Sequence, residues 1–419
     1  MKDFKFIGVL VLTLLLTSCN YSEKKVKKKK EIVHYISSPT NTASSLPALF
    51  TKTDKPLLSW VTKINDSVVQ FNYSNLVEGN WQEPKEMVRG TDWFVNWADF
   101  PVIAENNGNL ISHVLKKSSK ATFSYDIKLN VLPEGKTQWS TGLPLHTDST
   151  KTEHGFVTIL PYKEDSFFIT WLDGRNVDNS DHGHNHNVKG TMNIRAAEIS
   201  PNGTVSNDVL LDNRTCSCCQ TTAAITDNGP VVLYRDRSDE EIRDISITRL
   251  VNGKWTEPKA IHDDLWKING CPVNGPKIDA IGNNLAVSWF TAANNEPKVK
   301  LAFSTDGGEN FDSPILVSDF NAMGRVDVIL LDNENAIASW METVDNKAQI
   351  KAMKISRSGQ KSKPIIISKL ENSRNAGFPQ MGLIKDQVHF AWTDVTNEKS
   401  TIKTAYVLLE MFSKAKTHK

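Results

Sequence analysis

The chain has 419 residues, with 49 Lys and Arg against 48 Asp and Glu, five cysteines, and 8% aromatic residues. Residues 1–31 carry eight of the lysines and three of the acids, which leaves 41 basic against 45 acidic side chains beyond Glu31. A slightly acidic body of that size excludes a general nucleic-acid binder, which needs a basic balance or stripe to meet phosphate, and it is long enough for one large repeat fold or two to three ordinary domains.

The first element is an export signal. Lys2 and Lys5 precede an apolar run, Phe6 to Leu16, which is too short to anchor in a bilayer as a helix. Thr17, Ser18 and Cys19 follow. Leu16-Thr17-Ser18-Cys19 resembles the lipobox of bacterial lipoproteins, and the resemblance implies cleavage before Cys19 and lipidation of its sulfur. On this reading residues 1–18 are the signal peptide. Residues 19–31, with lysines at 24, 25 and 27–30, form a basic polar tether that can lie on anionic headgroups. The expected location is the cell envelope, lipid-anchored and facing the periplasm, since the tether lacks an acidic surface-export signal.

Residues 32–410 show self-similarity. Asn75-Leu-Val-Glu-Gly-Asn-Trp81-Gln-Glu-Pro84-Lys returns as Arg249-Leu-Val-Asn-Gly-Lys-Trp255-Thr-Glu-Pro258-Lys. Each copy reads as strand, tight turn, strand. Weaker copies stand at 131–144, 199–209 and 355–366. An apolar alternating run precedes each hairpin: Leu57–Trp60, Leu110–Val114, Phe167–Trp171, Val231–Tyr234, Leu285–Trp289, Ala336–Trp340 and Val388–Trp392. The spacing of about 50–60 residues suits a four-stranded propeller blade. Seven markers predict an all-β propeller of seven blades. Six is the alternative, because Ser112-His113 weakens the second marker. The last repeat offers three strands, so Ile32–Ile36 is expected to supply its outer strand and close the ring. Residues 411–419 form a basic tail.

Ser304-Thr305-Asp306-Gly307-Gly308-Glu309-Asn310-Phe311 resembles the Asp-box of sialidase-type BNR repeats, and implies a sialidase-like propeller. In that shape the loops entering each blade and the loops between second and third strands line one pocket-bearing face. The unusual residues fall in these loops. The ligand-binding candidates are Trp93, Trp97, Asp99, His154, Asp173, Arg175, Arg235, Asp236, Arg237, Arg325, Asp327 and Arg374. Tryptophans stack on sugar rings or fill a core, and guanidinium forks suit carboxylate or sulfate. The sialidase likeness implies three arginines, an Asp acid/base and a Tyr–Glu pair. Asp236, Glu240 and Tyr234 are the nearby candidates, but Tyr234 stands at a marker position that elsewhere holds Trp, and no catalytic pair is assigned.

Cys216, Cys218 and Cys219 enter the fourth blade and Cys271 the fifth, so neighbouring inner strands are expected to bring them together at the rim. Two readings stay open. Export favours a disulfide, Cys271 with Cys218 or Cys219; thiolates equally suit copper(I) or zinc. His182, His184 and His186 alternate in a polar loop that is either a metal-binding or a solvated segment. Three functions therefore compete: a lipoprotein that binds a carbohydrate or other anionic ligand, which leads; a glycan-active enzyme, either a sialidase-like hydrolase or a polysaccharide lyase; and a copper- or zinc-binding protein.

Overall fold

The computed structural model describes residues 31–41, 43–177 and 190–413. Cys19, tether residues 20–30 and His182, His184 and His186 lie outside the described residues. Seven antiparallel sheets follow one another along the chain. Their first strands are Ser44–Phe50, Ile103–Asn106, His154–Tyr162, Thr222–Thr226, Lys277–Ile281, Ala322–Asp332 and Gln380–Ile384. All seven line an axial cavity of about 390 Å³, so the chain is a seven-bladed β-propeller and the six-bladed alternative falls.

Each sequence marker lies in the second strand of one blade. The bulky residue at or next to its end is buried every time: Trp60, His113, Trp171, Tyr234, Trp289, Trp340 and Trp392 are at most 2% exposed. These large side chains fill the space between neighbouring blades, which is why they recur with the blade period. A buried indole N–H needs an acceptor, and a residue two positions on often supplies it. Trp171 donates to Asp173 at 2.9 Å, Trp340 to Glu342 at 2.7 Å and Trp60 to Thr62 at 3.1 Å. His113 takes the indole's place with neither ring nitrogen bonded. Burial pushes its pKa down to about 3, so it packs as a neutral ring.

The repeated hairpins join third to fourth strands. Gly79 and Gly253 turn with φ of 78° and 75°, a left-handed conformation that a side chain would strain. The Asp-box also sits at a third-to-fourth turn. Asp306 accepts from the backbone N–H of Asn310 at 3.0 Å and from the Ser304 hydroxyl at 2.8 Å. His34–Ile36 pairs with Lys399–Leu408 through His34–Tyr406 and Ile36–Thr404, and becomes the fourth strand of the last blade. The ring is thus closed by joining its two chain ends in one sheet.

Inner strands are riveted to their neighbours by buried carboxylates. Asp99 accepts from Phe156 N at 2.8 Å, Asp279 from Leu330 N at 2.9 Å and Asp327 from Met381 N at 2.8 Å. These bonds satisfy backbone donors that a diverging inner strand leaves unpaired. They also assign Asp99 and Asp327 an architectural role.

Candidate functional site: a thiol cluster at the rim of the fourth and fifth blades

Successive strands in a blade alternate in direction, so entry loops and second-to-third-strand loops share one face. At its centre the entry loops lock together. Gln220 donates from its side chain to Ala98 O at 2.8 Å and accepts from Gly275 N at 3.1 Å. Trp97 stacks on Phe378 with ring centroids 5.9 Å apart, and the Arg325 guanidinium lies 5.0 Å from the Trp97 ring. Trp97 is therefore held within this packing rather than presented as an open platform.

The cysteines lie outside this plug. The strand Val205–Thr215 ends the third blade, and Cys216 follows with its N–H bonded to Arg235 O at 3.0 Å. A tight turn then brings Cys218 and Cys219 back toward it. Cys216 Sγ is 3.6 Å from Cys218 Sγ and 3.4 Å from Cys219 Sγ, and all three sulfurs lie within 4.8 Å of one another. Cys271, on the segment entering the fifth blade, lies near Cys218 and outside that three-sulfur cluster. All four are free thiols, so the expected bridge from Cys271 is not formed in this structure. Cys216 and Cys219 are buried, Cys218 is half-buried and Cys271 is exposed.

The electrostatics around the thiols are cationic. Arg243 donates from Nη1 to Cys216 Sγ at 3.4 Å and from Nη2 to Glu241 at 2.7 Å. Hydrogen bonding with Cys218 and Cys219, reinforced by the charge of Arg243, holds the Cys216 thiol well below its ordinary pKa. Cys271 is lowered to about 7, chiefly by Cys218 and against burial, with Arg243 and Arg237 assisting. Cys219 is pushed up to about 12 by burial and by its neighbour Cys216. One anionic sulfur shared among several thiols is the state this arrangement favours, and it is the state that binds soft metals.

Buried Asp99 and half-buried Glu153 flank Tyr125 between the channel and the thiols. The Tyr125 hydroxyl donates to Glu153 at 2.6 Å and lies 3.2 Å from Asp99. Burial raises Asp99 to about 7 and Glu153 to about 8, and the charges of Asp99, Cys271 and Cys216 add to the shift on Glu153. A second cluster stands beside it. His154 stacks on His146 at 3.8 Å, and its Nε2 lies 3.3 Å from Asp148 and 3.7 Å from Asp173. Arg175 forks onto both Asp173 oxygens at 2.7 Å and lies 3.6 Å from Asp148. The guanidinium already supplies the positive charge there, so the cluster stands as an ion-pair network.

The remaining candidates divide. Arg235, expected to project into the pocket, is 2% exposed. Its guanidinium is consumed by the carbonyls of Asn274, Arg243 and Phe290 at 2.6–3.0 Å, because the blade junction leaves those acceptors without strand partners. Tyr234 is core, with its hydroxyl on Asp212 at 2.6 Å. Arg325 donates to Gly377 O at 2.8 Å; burial and the charge of Arg374 lower it to about 10. Arg374 is exposed. Arg237 pairs with Glu241 at 2.5 Å, and Asp236 caps the Arg237 N–H at 2.6 Å. Trp93 lines a separate open groove of about 780 Å³ with Phe94, Lys63, Lys117 and Lys399. Sequence reasoning missed Tyr125, His146, Asp148 and Arg243. Only Arg243 carried a signal, through the Glu241-Ile-Arg-Asp244 run beside the arginine motif.

No family model matches the chain, and no curated protein matches it. Solved structures do. A polysaccharide lyase, Uly1, aligns over 93% of this chain and 94% of its own at 10% identity and a TM-score of 0.50. An α-L-arabinanase from Penicillium chrysogenum covers 90% and 98% at 9% identity and 0.47. A point mutant of the NanB sialidase from Streptococcus pneumoniae covers 90% and 94% at 8% identity and 0.46. Identity this low speaks to fold alone, and in fold the chain is a seven-bladed β-propeller.

Proposed function

We propose that this propeller binds a soft metal ion, copper(I) or zinc, through Cys216, Cys218, Cys219 and Cys271, and that lipid on Cys19 holds it at the envelope membrane. The observation that carries the reading is the convergence of three free thiols, Cys216, Cys218 and Cys219, two of the sulfur pairs being 3.4 and 3.6 Å apart, with Cys271 of the next blade beside Cys218. A tetrahedral ion with metal–sulfur bonds of about 2.3 Å sets sulfurs about 3.8 Å apart, so the three clustered sulfurs need little movement and Cys271 must close in as the fourth. Arg243 offsets part of the thiolate charge. The metal supplies a soft Lewis acid; the chain supplies anionic sulfur and a rim that leaves one ligand accessible.

The test is thiol counting on protein purified under reducing conditions without chelator. The expected result is one metal ion per chain, with the accessible thiols Cys218 and Cys271 becoming reactive as chelation removes it. Cys218 and Cys271 that react freely in the untreated protein, with no ion bound, contradict it. In the same preparation Cys19→Ala is expected to shift the protein from membrane to soluble fraction.

A second reading has its own observation. The groove beside Trp93 and Phe94, edged by Lys63, Lys117 and Lys399, combines aromatic faces with cations, as an acidic carbohydrate requires. Titration with an acidic oligosaccharide tests it. Binding that Trp93→Ala abolishes supports a glycan ligand, and chain cleavage would make the protein a glycan-active enzyme. Unchanged binding in that variant, or none in the wild type, removes the reading.

A further inference from the structure

The four thiols are not equivalent. We infer that Cys271 is the exchange ligand of the site, through which the metal passes to and from a thiol-bearing carrier, while Cys216 and Cys219 are its fixed anchors. The inference rests on the metal reading and adds a direction of transfer to it.

Three observations carry it. The first is accessibility. Cys216 and Cys219 are 1% and 2% exposed, so an incoming ligand cannot reach the metal from their side, whereas Cys271 is exposed. The second is anchoring. Cys216 continues directly from a strand, and its N–H is bonded to Arg235 O. Arg235 is in turn fixed by three carbonyls. Cys271 lies on an irregular stretch between Ile268, whose N–H bonds to Glu241 O, and Asn274, which ties to Met323 O and Arg325 N. Between those two posts the segment belongs to no strand or helix. The third is charge. Arg243 bonds Cys216 directly, so displacing Cys216 would leave a buried guanidinium without its sulfur partner, whereas displacing Cys271 breaks no such bond.

The exchange balances without an oxidant. The metal–sulfur bond to Cys271 breaks as one forms to the carrier's sulfur, and the carrier's thiol proton passes to the Cys271 thiolate. The metal keeps its oxidation state. Three chain thiolates hold it while the fourth position changes hands, which suits soft ions that accept both three- and four-coordinate sulfur.

The experiment loads the full chain, reduced and without oxygen, with one equivalent of zinc or, in parallel, copper(I). Release to excess EDTA or bicinchoninate is followed by stopped flow, with reduced glutathione as the probe thiol. Wild type is expected to release metal at a rate that rises with glutathione concentration. Cys271→Ser is expected to retain one ion per chain and to release it about tenfold faster or more, because its fourth position stands open. Cys216→Ser and Cys219→Ser are expected to lose stoichiometric binding while keeping the wild-type melting temperature within a few degrees. Complete loss of metal from Cys271→Ser, or a release rate equal to wild type, overturns the inference while leaving the site itself standing. A wild-type chain that retains no metal overturns the reading of the site, and the inference with it.

Discussion

Arg243 and Cys216 are 3.4 Å apart, guanidinium to sulfur, in a part of the rim where both side chains are buried. A guanidinium is placed beside a thiol only at the cost of desolvation, and here Glu241 and Cys216 together offset that cost. The pairing makes Arg243 a positioning residue for the thiolate. Arg243→Gln removes the charge and keeps much of the shape. Metal affinity is expected to fall about 10- to 100-fold, measured by competition with a chromogenic chelator. An unchanged affinity would show that the sulfurs need no cationic neighbour.

Arg235 and Arg374 separate architecture from surface. Arg235→Ala strands three buried carbonyls, and each buried acceptor left unmade costs about 1–3 kcal/mol. Destabilisation of at least about 3 kcal/mol is therefore expected in chemical denaturation. Arg374 is exposed and faces the charge of Arg325, so Arg374→Ala is expected to change stability by less than about 0.5 kcal/mol. Equal effects in the two variants would contradict the assigned roles.

Ring closure gives a third expectation. Deleting residues 20–30 removes nothing from the sheets, whereas deletion through Ser37 strips His34–Ile36 from Lys399–Leu408 and leaves an open edge. The shorter deletion is expected to melt like the full chain, and the longer one several degrees lower. Identical melting curves would show that the strand adds no stability.

Much of this architecture was legible in the sequence because propellers repeat their core. The same apolar run and bulky residue had to recur in every blade to fill the same gap between sheets, and the turn glycines had to recur with the hairpins. Even His113 was placed correctly by register. The site was less legible. Sequence spacing led to the expectation that Cys271 approaches the Cys216–Cys219 turn, since both precede inner strands of consecutive blades. It could not give which charged residues face solvent. Arg235 ends a second strand and Asp327 lies within a first strand, yet both satisfy backbone groups at blade junctions, a demand that arises only once the ring has formed. Tyr125 was hidden for a similar reason: it reads as an ordinary strand residue until Asp99 and Glu153 are brought to its hydroxyl.

Glu153 makes the fold sensitive to pH. Burial raises its pKa from 4.5 to about 8. A carboxyl whose folded pKa is raised stabilises the fold while protonated, and that stabilisation is lost as pH climbs through the folded value. Wild-type stability is thus expected to decline between about pH 4.5 and 8 by this group's contribution. Glu153→Gln keeps an acceptor for Tyr125 and cannot ionise, so its melting temperature is expected to gain on wild type at pH 9 and not at pH 4. Parallel pH profiles for the two proteins would rule out a buried, protonated Glu153.

The most direct test of the thiol centre is X-ray absorption at the metal edge of the full chain, reconstituted under reducing conditions with one equivalent of zinc or copper(I). The account predicts a first shell made only of sulfur, at about 2.3 Å for zinc, which Cys216→Ser and Cys219→Ser abolish. A shell of nitrogen and oxygen, or metal that stays bound when those cysteines are replaced, would contradict it.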